Sequence, residues 1–276
     1  MKKDIRMIAL DLDGTLLNDK KQITSYTKEV LKKAMAQGVL VLIATGRPFT
    51  AIDEELNAFP EMRYALTSNG ARIIDVKENR ILLERTMPGE KALEVIEKIK
   101  DFDLVCEVFV EGDGYQSVAD LARIHEFFST PEMVDYVRRT RVPIDDVRNI
   151  ARKDGVRAEK VHLIFNDLEA RKKVKEIIAN IEGVRVTGAF PNTIETLAEG
   201  TSKANGLLEL GKLLGISREQ IMVCGDGMND YEMIEKCGFG VAMSNGSPKV
   251  KEIADYVTDS NNEDGVAKAV EKFVLK

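Results

Sequence analysis

Three stretches of this chain end a short apolar run in a polar, glycine-bearing loop: "MIALDLDGT" from residue 7, "VLVLIATGR" from 39 and "IMVCGDG" from 221. Runs this short and this apolar read as strands buried on both faces, an arrangement that requires helices on both sides of a parallel sheet. The intervening chain agrees. Residues 24–37 carry a helical pattern opened by Thr24 or Ser25 and closed by Gly38; residues 202–214 carry another that ends at Gly215. "MNDYEMIEKC" and "GVAKAVEKFVL" read as further helices, and "YALTS" and "FGVAM" as further strands. Both ends of the chain therefore predict one open α/β sheet.

The middle follows a different grammar. Over residues 86–196 strands are separated by turn signals such as "EGDG", and "PGEKALEVIEKIK" and "DLEARKKVKEIIANIEG" read as amphipathic helices, which predicts an α+β insert. Proline and glycine punctuate "MPG" and "GAFPN", placing the linkers there and assigning residues 1–85 and 197–276 to one discontinuous unit. A length of 276 residues suits two such units.

Composition narrows the function class. With 40 basic against 46 acidic residues and a formal charge of -6, the chain lacks the cationic surplus of a nucleic-acid or anionic-membrane binder. Three cysteines without CxxC spacing suggest neither a disulfide framework nor a zinc site, and point to a reducing, cytoplasmic setting. The opening "MKKDIRMIAL" is too short in its apolar part for a signal peptide or a spanning helix. The expected protein is a soluble enzyme.

Open α/β sheets bind ligands outside the carboxyl ends of their strands, and there this chain places Asp11 and Asp13. Two carboxylates so close repel unless a cation shares them, and hard oxygen ligands select a magnesium-like ion. Gly14 lets the backbone approach a ligand, and the loop amides can take phosphate oxygens as a nest does. A lone DxDG is most often a turn. A calcium loop of the EF-hand kind fails, because Leu16 stands where glycine is needed and Gln22 where a bidentate glutamate is needed. Matching chemistry at other strand ends changes the balance. "IATGR" adds Thr45, Gly46 and Arg47, "GTSKANG" puts Lys203 in the first turn of a helix, and "GDGMND" adds Asp226, Asn229 and Asp230. Each alone reads as a cap or a surface charge; together they describe a site.

In order and spacing, "DLDGTLL", "ATGR", "TSKANGL" and "GDGMND" resemble the four motifs of the haloacid dehalogenase-like phosphohydrolases, and within them the Cof-like sugar phosphatases with a large α+β cap, type IIB. The resemblance covers the whole chain. "VAMSNGSPKVKEIADYVT" and "NEDGVA" also look like this branch, whose commoner wording has glycine at the position of Ser244. It implies a Rossmann-like three-layer core of parallel strands with residues 86–196 as an inserted cap that closes over the site and reads the leaving group. Asp11 is then the nucleophile that becomes an aspartyl phosphate, and Asp13 the general acid and later base, also offering the ion a backbone carbonyl. Thr45 and Lys203 bind the transferring phosphoryl oxygens. Asp226 completes the Mg2+ site with Asp11 and Asp13, Asp230 ligates or orients through water, and Asn229 holds the loop or the phosphate. Gly14, Gly46 and Arg47 join the substrate-binding set.

The expected reaction is magnesium-dependent hydrolysis of a small phosphorylated metabolite, a sugar phosphate, by a cytoplasmic monomer or weak homo-oligomer. Transfer of the aspartyl phosphate to a second substrate, as in mutases, and a phosphate-ligand sensor without turnover are the alternatives. Dehalogenases lack an acid at the position of Asp13. Within the insert, the polar residues of "EGDGYQS" read first as a hairpin turn with an edge strand, His125 as a helix-surface residue, His162 as a strand residue, and the "RRTR" run at 138–141 as a solvated face that could attract an anion.

Overall fold

The computed structural model describes residues 2–128, 130–188 and 190–275. The chain divides into two compact units, one formed by Met1–Arg47, Ile52–Glu84 and Ser202–Lys276, the other by Arg85–Thr201 with the short piece Pro48–Ala51. The first unit opens with β1 (Met7–Leu10), α1 (Ser25–Ala36), β2 (Leu40–Ala44), α2 (Asp53–Ala58), β3 (Tyr64–Thr67), β4 (Arg72–Asp75) and β5 (Arg80–Glu84). The inserted unit holds β6 (Met87–Pro88), α3 (Gly89–Ile99), β7 (Val105–Val110), β8 (Asp113–Ser117), α4 (Val118–Arg123), α5 (Pro131–Thr140) and β9 (Arg141–Ile144). It continues through α6 (Arg148–Ala151), β10 (Arg157–Ala158), β11 (Lys160–Ile164), α7 (Leu168–Ala179), β12 (Val184–Thr187) and β13 (Thr193–Ala198). The chain then returns with α8 (Lys203–Leu214), β14 (Ile221–Gly225), α9 (Tyr231–Lys236), β15 (Phe239–Met243), α10 (Pro248–Ile253), β16 (Tyr256–Thr258) and α11 (Gly265–Phe273).

The first unit is an eight-stranded sheet in the order β16-β15-β14-β1-β2-β3-β4-β5. The strands from β16 to β3 are parallel. The expected parallel core is present, extended at one edge where β4 runs antiparallel to β3 and β5 to β4. The reason is chain length. Only residues 68–71 separate β3 from β4, far short of the dozen or so that a parallel crossover needs, and Ser68, Asn69 and Gly70 turn the chain with φ of 48°, 57° and 95°. From β1 the strand order steps to β2 on one side and β14 on the other, so the carboxyl end of β1 lies at a topological switch point, where open sheets leave a crevice. All four β1 residues are fully buried, and Met7, Ala9, Leu42, Leu66 and Val223 pack against Leu207 and Leu210 of α8. Each of these side chains larger than alanine contributes about 1.5–3 kcal/mol by leaving water, which fixes the strand end that carries Asp11. α1 is capped by Thr24, whose side chain accepts from the Thr27 amide, and α8 by Ser202, with Gly215 at φ 65° closing it.

The inserted unit has a six-stranded sheet, β12-β13-β11-β7-β8-β9, antiparallel except for β8 with β9, and a two-stranded ribbon of β10 and β6. Val108, Val161 and Leu163 form its core with Val95 and Ile96 of α3 and Val174 and Ile178 of α7. Its ends differ from the sequence reading. "MPG" lies inside the unit as β6 and the first turn of α3, and "GAFPN" is the connection between two paired strands, β12 and β13, with Ala189 outside the described residues. The chain ends of the unit are tied instead by Arg85, which donates from Nη1 to the Gly200 carbonyl at 2.8 Å and accepts at its own carbonyl from the Thr201 hydroxyl at 3.2 Å.

"EGDG" does close the β7–β8 hairpin, with Glu111 and Gly112 at φ 55° and 88°, but β8 is not an edge because β9 pairs with its far side. The "RRTR" run splits: Arg138 and Arg139 are exposed, whereas the Arg141 side chain is buried and forks Glu107 through Nε at 2.7 Å and Nη2 at 3.3 Å. His162 joins the same carboxylate through Nδ1 at 2.7 Å, and His125 is an exposed residue of a short helical turn. Beside Glu107 in register, Gln116 is wholly buried, and its amide has no hydrogen-bond partner among the described residues. The three cysteines are free and buried. No helix among the described residues is long and apolar enough to cross a membrane.

Candidate active site

The end of β1 delivers Asp11 into a buried charge cluster. Lys203, the first residue of α8, has a fully buried side chain whose ammonium donates to Asp11 Oδ1 and Asp230 Oδ1, each at 2.6 Å. Asp226 follows β14, and its Oδ1 accepts from the Thr15 hydroxyl at 3.0 Å. Asp11, Asp226 and Asp230 each offer a carboxylate oxygen within 4.8 Å of the others, so three acids face one ammonium. The electrostatics follow from that imbalance. Burial, then the charge of Asp230, pushes the Asp11 carboxyl well above the usual carboxylate range against the pull of Lys203. The same two causes raise Asp226 to about 6. Burial alone lowers an ammonium, yet Asp11 and Asp230 more than reverse it and hold Lys203 firmly protonated.

The three acids are not equivalent. Asp230 has both oxygens engaged: Oδ1 by Lys203, and Oδ2 by the backbone amides of Asp226 at 3.0 Å and Gly227 at 2.9 Å. It braces the loop after β14. Asp11 Oδ2 and Asp226 Oδ2 have no hydrogen-bond partner among the described residues, which leaves them as the open donors. Gly14 has φ +84°, and a Cβ there would lie 2.5 Å from Asp226 Oδ2, so the first loop approaches the fourth more closely than any other residue permits.

Asp13 stands apart from this cluster. Its carboxylate takes a two-pronged grip from Arg47, Nε to Oδ2 at 2.8 Å and Nη2 to Oδ1 at 2.7 Å, and a further bond from Lys21 at 2.7 Å. Burial pushes this carboxyl up, but Arg47 and then Lys21 outweigh it and hold the value at about 2. Arg47, expected among the substrate-binding groups, is itself held by Asp13 and by Glu55 at 3.0 Å. Its guanidinium organises a carboxylate here.

Thr45, Gly46 and Asn229 meet through a residue the sequence reading missed. The Asn69 amide donates to the Thr45 carbonyl at 3.0 Å, its Oδ1 accepts from Asn229 Nδ2 at 3.2 Å, and a Cβ on Gly46 would lie 3.1 Å from that same oxygen. The Thr45 hydroxyl accepts from the Arg47 amide at 3.1 Å. Ser68 and Asn69 are both buried with left-handed backbones, a strain of about 1–3 kcal/mol each that persists where the surroundings over-determine the shape. "SNG" directly after a strand was the available signal, since asparagine and glycine tolerate that conformation. Thr15 was likewise missed, having the unremarkable context of a loop threonine.

Comparison with known proteins gives the family. Residues 8–270 match the family model of the haloacid dehalogenase-like hydrolases. A Bacillus subtilis protein named 5-amino-6-(5-phospho-D-ribitylamino)uracil phosphatase is 33% identical over 272 residues, covering 99% of this chain and 97% of that one. The solved structure of a haloacid dehalogenase-like hydrolase from B. subtilis superposes with a TM-score of 0.86 at 26% identity, covering 98% of this chain and all, 100%, of that one. A sugar phosphatase of haloacid dehalogenase subclass IIB superposes with a TM-score of 0.82 at 25% identity, over 98% and 100% of the two chains. The chain belongs to the haloacid dehalogenase-like hydrolases, as a phosphatase of their Cof-like, subclass IIB branch.

Proposed function

We propose that this phosphatase hydrolyses a phosphate ester of a small sugar or polyol, with Asp11 as nucleophile and Mg2+ as cofactor. The observation that carries the reading is the group of buried Asp11, Lys203 and Asp230 with half-buried Asp226, in which Asp11 keeps one oxygen without a partner among the described residues. That oxygen attacks phosphorus in line as the ester oxygen leaves, giving an aspartyl phosphate, which water then cleaves to regenerate Asp11. Lys203 and the Thr45 hydroxyl receive the phosphoryl oxygens, with Gly14, Gly46 and Asn229 shaping the loops around them.

The donor set fits magnesium: hard oxygens, two of them open, in a cluster with more negative than positive charge. Asp226 and the Asp11 oxygen that also accepts from Lys203 would hold the ion, leaving the other Asp11 oxygen to attack; Asp13 would add its backbone carbonyl, and Asp230 acts by orienting Asp226. When bound, Mg2+ neutralises the phosphate dianion and orients it toward Asp11. Asp13 serves as the proton carrier. The grip of Arg47 and Lys21 keeps it ionised but a weak base; once that grip opens its pKa rises, and it serves as the acid of the first step and as the base for the water of the second. Two of the relatives act on a sugar phosphate and on a phosphoribityl compound by their names, and a phosphorylated polyhydroxy chain is the chemistry the two share. Selection among such leaving groups is assigned to the inserted unit.

The test is release of inorganic phosphate from para-nitrophenyl phosphate and from a panel of sugar and polyol phosphates, with magnesium, with calcium and with excess chelator. Turnover that needs magnesium, is inhibited by calcium and favours the polyol esters is expected. Full turnover in chelator overturns the metal assignment, and no release from any ester overturns the reaction.

A further inference from the structure

The turn after β15, residues 244–247, belongs to a motif that the chemistry above leaves unused. It reaches both loops that carry the open carboxylates. Asn245 Nδ2 donates to the Gly14 carbonyl at 2.8 Å, on the loop that follows Asp11 and Asp13. The Ser247 amide donates to the Asp226 carbonyl at 2.8 Å. Between them, Gly246 lies so near that a Cβ would be 3.0 Å from the Asp226 Cα and carbonyl oxygen. Asn245 also spends its other amide atom: Oδ1 accepts from the Asn261 amide at 3.0 Å, and Asn261 Nδ2 donates in turn to the Leu17 carbonyl at 3.0 Å and to Asp19 Oδ1 at 3.2 Å. The first loop is thus held at Gly14 and again at Leu17 by a chain of bonds that passes through the side chains of Asn245 and Asn261.

Asp11 and Asp226 repel each other, and among the hydrogen bonds of their carboxylates, within the described residues, only the one from the Thr15 hydroxyl to Asp226 Oδ1 joins the two loops directly. The 244–247 turn also spans them. Resting on the reading of Asp11 and Asp226 as the magnesium ligands, we propose that Asn245 is a positioning residue: its bridge from Gly14 to Asn261, with the Ser247 bond to Asp226, sets the separation of the two carboxylates before the cation arrives. Groups that orient ligands from outside the coordination sphere are worth about 10- to 100-fold in metal affinity.

Asn245 is exposed, so its substitution leaves the fold intact. Ser247 has φ −54° and ψ 136°, values proline accepts, but its amide points at the Asp226 carbonyl 2.8 Å away, so Ser247→Pro both removes the donor and presses its ring against that oxygen, forcing the turn and the Asp226 loop apart. Magnesium titrated calorimetrically into substrate-free protein is expected to bind Asn245→Ala and Ser247→Pro about 10-fold more weakly than the parent. Asn245→Asp, which keeps the acceptor for Asn261 but loses the donor to Gly14, is expected to bind more weakly too, despite its added charge. In turnover, half-maximal activity shifts to higher magnesium by the same factor, and saturating magnesium restores most of kcat. Parent-like magnesium affinity in both Asn245→Ala and Ser247→Pro overturns the inference. A parent protein that binds no magnesium overturns the metal reading on which it rests.

Discussion

Arg47 holds Asp13 through both ends of its guanidinium, at 2.8 and 2.7 Å, in a geometry lysine cannot copy. Arg47→Lys keeps the charge and loses the fork, and is expected to slow turnover of an aryl phosphate about 10-fold, through misplaced proton transfer. Arg47→Ala also removes the charge that outweighs burial, so the carboxyl of Asp13 rises from about 2. Activity that needs ionised Asp13 then fails at higher pH than in the parent. A pH profile of kcat for the aryl phosphate, whose second half-reaction needs that base, reads this: the acid limb moves upward by about one unit or more. A limb that stays in place assigns Arg47 to loop support alone.

Lys203 is paired with both buried acids, Asp11 and Asp230, so Lys203→Met leaves them facing each other without it. Breaking a buried pair from one side costs about 3–5 kcal/mol. The sign with pH is fixed by Asp11, whose folded value already lies above its unfolded one. The penalty is therefore absent below the ordinary carboxylate pKa and grows as pH rises through the folded value. Thermal midpoints recorded from pH 4 to 8 should show the deficit of Lys203→Met widening with pH. Added magnesium should raise its midpoint more than that of the parent. A deficit that does not vary with pH shows that packing, rather than charge, is what Lys203 supplies.

Much of this site was legible because each acid directly follows an apolar run, and a strand end is a place that a sequence marks. Asp11 and Asp226 are marked that way, and Lys203 by its place in the first turn of a helix. What the sequence does not mark is pairing across distance. Lys203 lies 192 positions from Asp11, and nothing local says that Asp230, rather than Asp226, takes its second bond. Arg47 reads as a phosphate ligand because a cation after a strand has two uses, and only the position of Glu55 and Asp13 around it separates them. Glycine and proline at "MPG" and "GAFPN" marked turns correctly, but a turn within a unit and a linker between units use the same residues. The antiparallel edge escaped for a related reason: the reversal at Ser68, Asn69 and Gly70 depends on dihedral angles that composition only hints at.

Within the inserted unit, Glu107 is fully buried between Arg141 and His162. Burial raises its carboxyl, but Arg141 first and His162 after it overcome this and set it at about 2, below the ordinary 4.5. A depressed folded value means stability that is complete above the unfolded pKa and lost as pH falls toward the folded one. Glu107→Gln is expected to lower stability at pH 7 by about 3 kcal/mol, since it strands a buried guanidinium. The gap from the parent should narrow steadily below pH 4. Urea midpoints from pH 3 to 7 measure it, and a gap independent of pH removes the charge from the account.

The role proposed for Asp13 makes the sharpest demand, because the need for an acid depends on the leaving oxygen. A sugar alkoxide needs a proton greatly, and a nitrophenolate hardly at all. Asp13→Ala should therefore slow aspartyl-phosphate formation from a polyol phosphate by about 10²- to 10⁴-fold, the usual worth of a positioned acid, and slow the aryl ester much less. The second half-reaction loses its base with either substrate. Phosphorylated Asp11 should then accumulate, visible as a burst of nitrophenol followed by a slow steady state, and as a mass increase of one phosphoryl group on quenched protein. Asp11→Asn should form no such species. Equal slowing of both esters with no burst reduces Asp13 to the carbonyl it offers the ion and to its place in the grip of Arg47 and Lys21.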